Sequence, residues 1–89
     1  MEFTIDLVGA AVPAELHRRI RDVLPCPEWY GDNLDALYDL LTEQGSGWHI
    51  TFLRTAETDA LLPAYTASLR RLCRRAMAET PGLTVEFEE

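Results

Sequence analysis

Lysine is absent from this 89-residue chain, and all eight basic side chains are arginine. No catalytic lysine is therefore available to it. An all-arginine set of bases fits a GC-rich bacterial genome and says nothing about function. Cysteine is scarce: Cys26 and Cys73 form no CxxC pair and no recognisable metal spacing. Two reduced thiols in a cytoplasmic protein are expected instead. No apolar run approaches the roughly 20 residues that span a bilayer. The first ten residues carry Glu2 and Asp6 where a secretory signal carries bases, so export is not expected. Positive charge is also in short supply. Fifteen acids against eight bases give a net charge of −7, which argues against nucleic acid, whose phosphates need a basic footprint. Such a charge suits a basic protein partner reached through opposite long-range fields. On total charge alone it equally suits plain solubility.

Hydrophobic residues make up 47% of the chain and charged residues 26%, the balance of a soluble globular protein. The length fits one domain, residues 1–89, and not two. Phe3, Ile5 and Leu7 alternate with Thr4 and Asp6, the period of a half-exposed strand. Pro13 opens a helix whose Leu16, Ile20 and Val23 or Leu24 share a face. Pro25-Cys26-Pro27 stops it. A second helix is predicted from about Asn33 to Glu43, ended by Gly45-Ser46-Gly47, and a strand from His49 to Leu53. Asp59 to about Thr80 reads as a short and a longer helix meeting near Pro63. Leu69, Leu72, Cys73, Ala76 and Met77 are the apolar stripe of the longer one. Leu83, Val85 and Phe87 alternate in a last strand. Strands joined by helical crossovers pair in parallel, and alternation in the outer strands places the helices on one sheet face only. The expected fold is a two-layer α/β domain.

The second helix carries the strongest signal. From Glu28 to Glu43 the chain has five acids and no base. At about 100° per residue, Leu34, Leu37, Leu40 and Leu41 gather on one side and Asp35, Asp39, Thr42 and Glu43 on the other, with Tyr38 at the border. A solvated face is the ordinary explanation of such a stripe, yet this one is poorly arranged for stability. Asp35/Asp39 and Asp39/Glu43 are like charges at i and i+4, each costing about 0.2–0.5 kcal/mol. Asp39 and Glu43 also sit toward the C-terminal end, where the helix dipole disfavours anions by roughly 0.3–1 kcal/mol. Sites that give up stability in this way are commonly functional. Ahead of the helix, Trp29 and Tyr30 stand in a loop, at least one of them expected to staple the helix start to the core. Gly31 supplies either a positive φ or room for another backbone, and Asp32 or Asn33 caps the helix. Aromatic anchors beside carboxylates make a plausible protein-binding hot spot.

The run Pro27-Glu28-Trp29-Tyr30-Gly31-Asp32-Asn33-Leu34-Asp35-Ala36-Leu37-Tyr38-Asp39 closely resembles the signature of the barstar family of intracellular inhibitors of secreted ribonucleases. The order of strands and helices is similar over essentially the whole chain. The resemblance implies a three-stranded parallel sheet backed by helices, and a loop and second helix that enter a ribonuclease active site. It implies that Asp39 takes the place of the substrate phosphate and that Asp35 pairs with a base or donor at the rim. Trp29, where the family pattern has tyrosine, would pack on the catalytic histidine. Gly31 and Asn33 would lie near the base-binding loop, and Tyr38, where the family has tryptophan, and Thr42 would complete the contact. With Glu43, the last acid of the stripe, these are the candidate partner-binding residues. The implied partner is a basic extracellular ribonuclease, barnase-like or otherwise guanyl-specific, bound one to one without cofactor or metal.

The chain departs from the family pattern at the edge of that surface. Gln44 stands where a tryptophan is expected, Trp48 is displaced toward the second strand, and Leu72-Cys73-Arg74-Arg75 replaces a region that carries a contacting glutamate. The central carboxylates are intact; the rim is changed. Two other readings compete. Paired carboxylates serve enzymes as acid and base or as metal ligands, but these have no nearby histidine, no lysine and no metal-loop spacing. An acidic interaction module for another basic partner is the second alternative. His17 and His49 have no partner in sequence and read as structural or surface residues. Arg70, Arg71, Arg74 and Arg75 read as a solvated face that offsets the acidic helix, or as a surface meeting an acidic rim on the target.

Overall fold

Three short stretches of alternating apolar and polar residues become the sheet. The computed structural model describes all residues, 1–89, with strands β1 (Glu2–Asp6), β2 (His49–Leu53) and β3 (Thr84–Phe87). They lie in the order β1-β2-β3 and are parallel throughout, in registers that align Phe3 with Ile50 and Val85, and Ile5 with Phe52 and Phe87. That face is covered. Ile5, Ile50, Phe52 and Val85 are buried, Phe52 stacks on Phe87 at 5.1 Å, and Phe3 meets Trp48 edge-on at 5.2 Å. Because side chains alternate across a strand, the opposite face carries Glu2, Thr4, Thr84 and Glu86, all exposed. There His49 lies between Glu86 (2.6 Å) and Glu2 (3.8 Å). The two-layer α/β arrangement read from the alternation is the one observed.

Helices α1 (Pro13–Val23) and α2 (Leu34–Gln44) connect β1 to β2, and α3 (Thr55–Leu61) and α4 (Pro63–Glu79) connect β2 to β3. Proline begins both α1 and α4, where its missing N–H costs nothing. In α1, Leu16, His17 and Ile20 are buried, and Leu24 rather than Val23 completes the apolar face. In α4, Leu69, Leu72, Cys73 and Ala76 are buried and Met77 packs against them. Complete burial pushes the Cys73 thiol up to about 12, as expected when a charged form must be desolvated.

One boundary differs from the pattern reading. α3 begins at Thr55, four residues before the predicted Asp59 start. Arg54 takes a left-handed conformation (φ 61°) that turns the chain out of β2. Thr55 then donates both its N–H and its Oγ1 hydroxyl to the Glu88 carbonyl, at 3.0 and 2.9 Å. A residue 33 positions away thus fixes the helix start, and no local cap marks it. At the end of α2, Gly45 is buried and its N–H donates to the Leu41 carbonyl at 2.9 Å. A Cβ there would overlap that carbonyl and press on Leu83.

Candidate partner-binding site

The loop before α2 is held by its own backbone and by one deep anchor. The Tyr30 N–H donates to the Pro27 carbonyl at 3.0 Å, closing a turn that sends the two aromatics in opposite directions. Tyr30 is 7% exposed; Trp29 is 48% exposed. Tyr30 is therefore the staple, and Trp29 is left to solvent. The Tyr30 hydroxyl meets Nδ1 of His17 at 2.7 Å, and Nε2 of the same ring meets the Tyr65 hydroxyl at 2.5 Å. One fully buried imidazole thus ties α1, the loop and α4 together. Desolvation holds the His17 pKa below its usual value, opposed by the nearby Asp32 carboxylate and reinforced by Arg21. Burial raises the Tyr30 phenol strongly. The same effect raises the half-buried Cys26 thiol, with Arg21 opposing it.

The conformational demand in this loop falls on Asp32 and not on Gly31. Asp32 has φ 54°, a left-handed value that aspartate tolerates better than most residues. Of the two roles open to Gly31, the positive φ is thus excluded. Arg21 approaches Asp32 at 3.2 Å, but off the N–H axis, so the contact is an ion pair without a hydrogen bond. Asn33 supplies the cap. Its Oδ1 accepts the Ala36 N–H at 2.8 Å while its Nδ2 donates to the Gly31 carbonyl at 3.2 Å, joining loop and helix into one unit.

Along α2 the leucines divide from the acids much as helical spacing dictates. Leu37, Leu40 and Leu41 are buried, whereas Leu34 is half-buried and packs at the margin of the core. Asp35, Asp39 and Glu43 are exposed, and no basic group lies within ion-pair distance of any of them. This is not for want of arginine. Arg18 and Arg19 pair with Glu15, Arg54 with Asp6, and Arg70 with Asp59 at 2.7 Å. The hydroxyl of half-buried Thr42 is turned back onto the Tyr38 carbonyl at 2.9 Å.

Between α2 and α4 runs an open groove of about 430 Å³. Asp35 and Asp39 form one wall, Arg71 and Arg75 the other, with Leu34 and Tyr38 among the residues between. Tyr38 is fixed from two sides: its hydroxyl donates to the Glu79 carboxylate, and the Arg75 guanidinium stacks 4.7 Å from its ring centre. The bond to Glu79 is the main reason the Tyr38 phenol titrates above its usual value. Arg70 does not share this wall; it lies over Phe87 at 4.5 Å and binds Asp59. The four arginines expected on one face are therefore divided: Arg71 and Arg75 line the groove, Arg70 lies against Asp59 and Phe87, and Arg74 is exposed outside both.

Of the residues singled out in the sequence, the structure gathers Asp35, Tyr38 and Asp39 into the groove. Trp29, Gly31 and Asn33 lie on the exposed loop leading to it, while Thr42 and Glu43 sit a turn further along α2 and do not line it. Pattern reading missed the His17–Tyr30–Tyr65 chain and the Tyr38–Glu79 bond. Both join residues distant in sequence, and no local spacing signals them. No group of three or more His, Cys, Asp or Glu side chains is arranged to hold a metal ion, and no helix is long and apolar enough to cross a membrane.

Fold and groove together define a small single-sheet α/β protein that presents an unpaired acidic helix and an exposed tryptophan beside it. Residues 1–88 match the model of the family described as Barstar (barnase inhibitor). The chain belongs to the barstar family of ribonuclease inhibitors.

Proposed function

We propose that this protein is a cytoplasmic inhibitor, not an enzyme, whose single domain occludes the active site of a small, basic, secreted guanyl-type ribonuclease in a one-to-one complex. The observation that carries this reading is the set of carboxylates on α2 left without a counter-ion in a chain that pairs most of its arginines elsewhere. A cleft built to hold an RNA phosphate offers clustered cationic donors, and ion pairing there is strengthened because both surfaces lose water together. Asp39 enters that cleft in place of phosphate and Asp35 pairs at its rim. Trp29 covers the catalytic histidine, while Gly31 and Asn33 approach the base-binding loop. Tyr38, held by Glu79 and Arg75, gives the helix a rigid flank, and Thr42 and Glu43 extend the contact.

Preorganisation supports the reading. The Asn33 cap and the buried Tyr30 hold the loop before any partner arrives, so little ordering entropy opposes association. The deciding experiment is an RNA-cleavage assay of barnase and of other guanyl-type ribonucleases titrated with the protein. Loss of cleavage at equimolar inhibitor is expected for at least one of them. A chain that inhibits none but is captured by some other basic protein belongs instead to the class of acidic interaction modules.

A further inference from the structure

The two walls of the α2–α4 groove carry opposite charge, yet they do not neutralise each other. Asp35 and Asp39 have no cation within ion-pair distance, and Arg71 and Arg75 have no carboxylate within it. Arg71 instead donates to the Ser68 hydroxyl at 3.0 Å, and Arg75 sits over the Tyr38 ring, 4.7 Å from its centre. Arg71 is thus held on its own wall, while Arg75 reaches a neutral ring of α2 and no carboxylate, and the groove stays open. An arginine face that merely offset the acidic helix would close such a groove with ion pairs. Elsewhere in the chain that is what happens, as with Arg70 and Asp59 at 2.7 Å.

We infer that Arg71 and Arg75 are specificity determinants, and that the ribonuclease this protein inhibits presents a carboxylate at the edge of its cationic cleft, seated against the α4 wall. The inference rests on the inhibitor reading and deepens it. Basic groups of the target meet Asp35 and Asp39, and an acidic side chain a few ångströms away meets the two guanidinium groups. An arginine can take a carboxylate with two parallel N–H donors. Its contact with the Tyr38 ring restrains Arg75 beforehand, so less side-chain entropy is lost on binding. Enzymes with a base at that edge are rejected, because like charges brought together in an interface are strongly unfavourable. A second copy of this chain would also offer both charges, but two molecules at −7 repel at long range.

The test compares the Arg71→Glu/Arg75→Glu protein with the wild type and with Asp39→Ala. Barnase and a set of small secreted guanyl-type ribonucleases serve as probes, with inhibition constants as the readout. Arg71→Gln/Arg75→Gln accompanies them in case charge reversal disturbs folding, which a thermal melt reports. For the ribonuclease that the wild type inhibits, the double reversal is expected to weaken inhibition roughly tenfold or more, equivalent to about 1.4 kcal/mol. Replacing the facing acid of the enzyme with lysine is expected to restore it. Unchanged or tighter inhibition by the reversed protein overturns the inference and leaves the inhibitor reading standing. Failure of the wild type to inhibit any probe overturns both. A free wild-type protein that sediments as a dimer, and a reversed one that does not, assigns the groove to self-association and overturns the inference.

Discussion

Removing the Asp39 carboxylate should make the free protein more stable and the complex far weaker. In the free protein Asp39 has no counter-ion, and it stands one turn from both Asp35 and Glu43 on α2. Each like-charged i,i+4 pair costs about 0.2–0.5 kcal/mol, so Asp39→Ala relieves about 0.4–1 kcal/mol of repulsion. Alanine is also the better helix former by up to about 0.7 kcal/mol. A gain near 1 kcal/mol raises Tm by about 4–8 °C in a domain of this size. In the complex the same change leaves a cationic cleft desolvated and unpaired, a loss of about 2–5 kcal/mol, or roughly thirty-fold to several-thousand-fold in affinity. The general range for such pairs comes partly from the barnase–barstar complex, so agreement with it is not independent support. Thermal denaturation followed by circular dichroism measures the first effect, and titration of ribonuclease activity the second. A lowered Tm would show that Asp39 serves the fold. Inhibition unchanged within twofold would refute the placement of Asp39 in the cleft.

Three further outcomes follow from particular groups. His17 has its pKa lowered by burial, so below about pH 6.5, the ordinary value for histidine, the unfolded chain takes up a proton that the folded chain resists. Stability should fall as pH drops through that value and keep falling until the folded-state pKa is reached; denaturant melts of wild type and His17→Gln should differ in slope there, and parallel curves would rule out His17 as the cause. Association with the target ribonuclease should slow steeply with added salt while dissociation changes little, because screening removes steering but acts weakly inside a closed interface; stopped-flow rates insensitive to salt would remove the steering role of the acidic wall. Cys73, buried and with its thiol raised to about 12, should resist iodoacetamide at pH 8 in the native protein and react on unfolding, whereas fast native labelling would mean α4 opens locally.

Much of the candidate site was legible because its signals are local. Like charges repeated at four-residue spacing, aromatics behind a proline and an Asn before a leucine run each speak through neighbours a few residues away. The choice between Trp29 and Tyr30 was not legible, since either ring suits a staple. Only the position of His17, on another helix, assigns Tyr30 inward and frees Trp29. The opposing arginines were visible as a face of α4, solvated or meeting an acidic rim on the target, but not as a wall across from Asp35 and Asp39. Helical spacing places Arg70, Arg71, Arg74 and Arg75 together, whereas packing sends Arg70 toward Asp59 and Phe87 and turns Arg71 and Arg75 toward α2. Leu34 was expected in the core and is only half-buried: as the first residue of α2 it packs against the core from outside and also lines the groove.

The sequence by itself determined the period of each element, the one-sided layering of the sheet and the unbalanced charge of α2, because these depend on residues close together in the chain. Tertiary structure alone decided what that acidic helix faces. The gap between α2 and α4 depends on side chains more than thirty positions apart, with Tyr38 bonded to Glu79 and stacked by Arg75. No local pattern encodes such a distance; it follows from how two helices settle on a shared sheet.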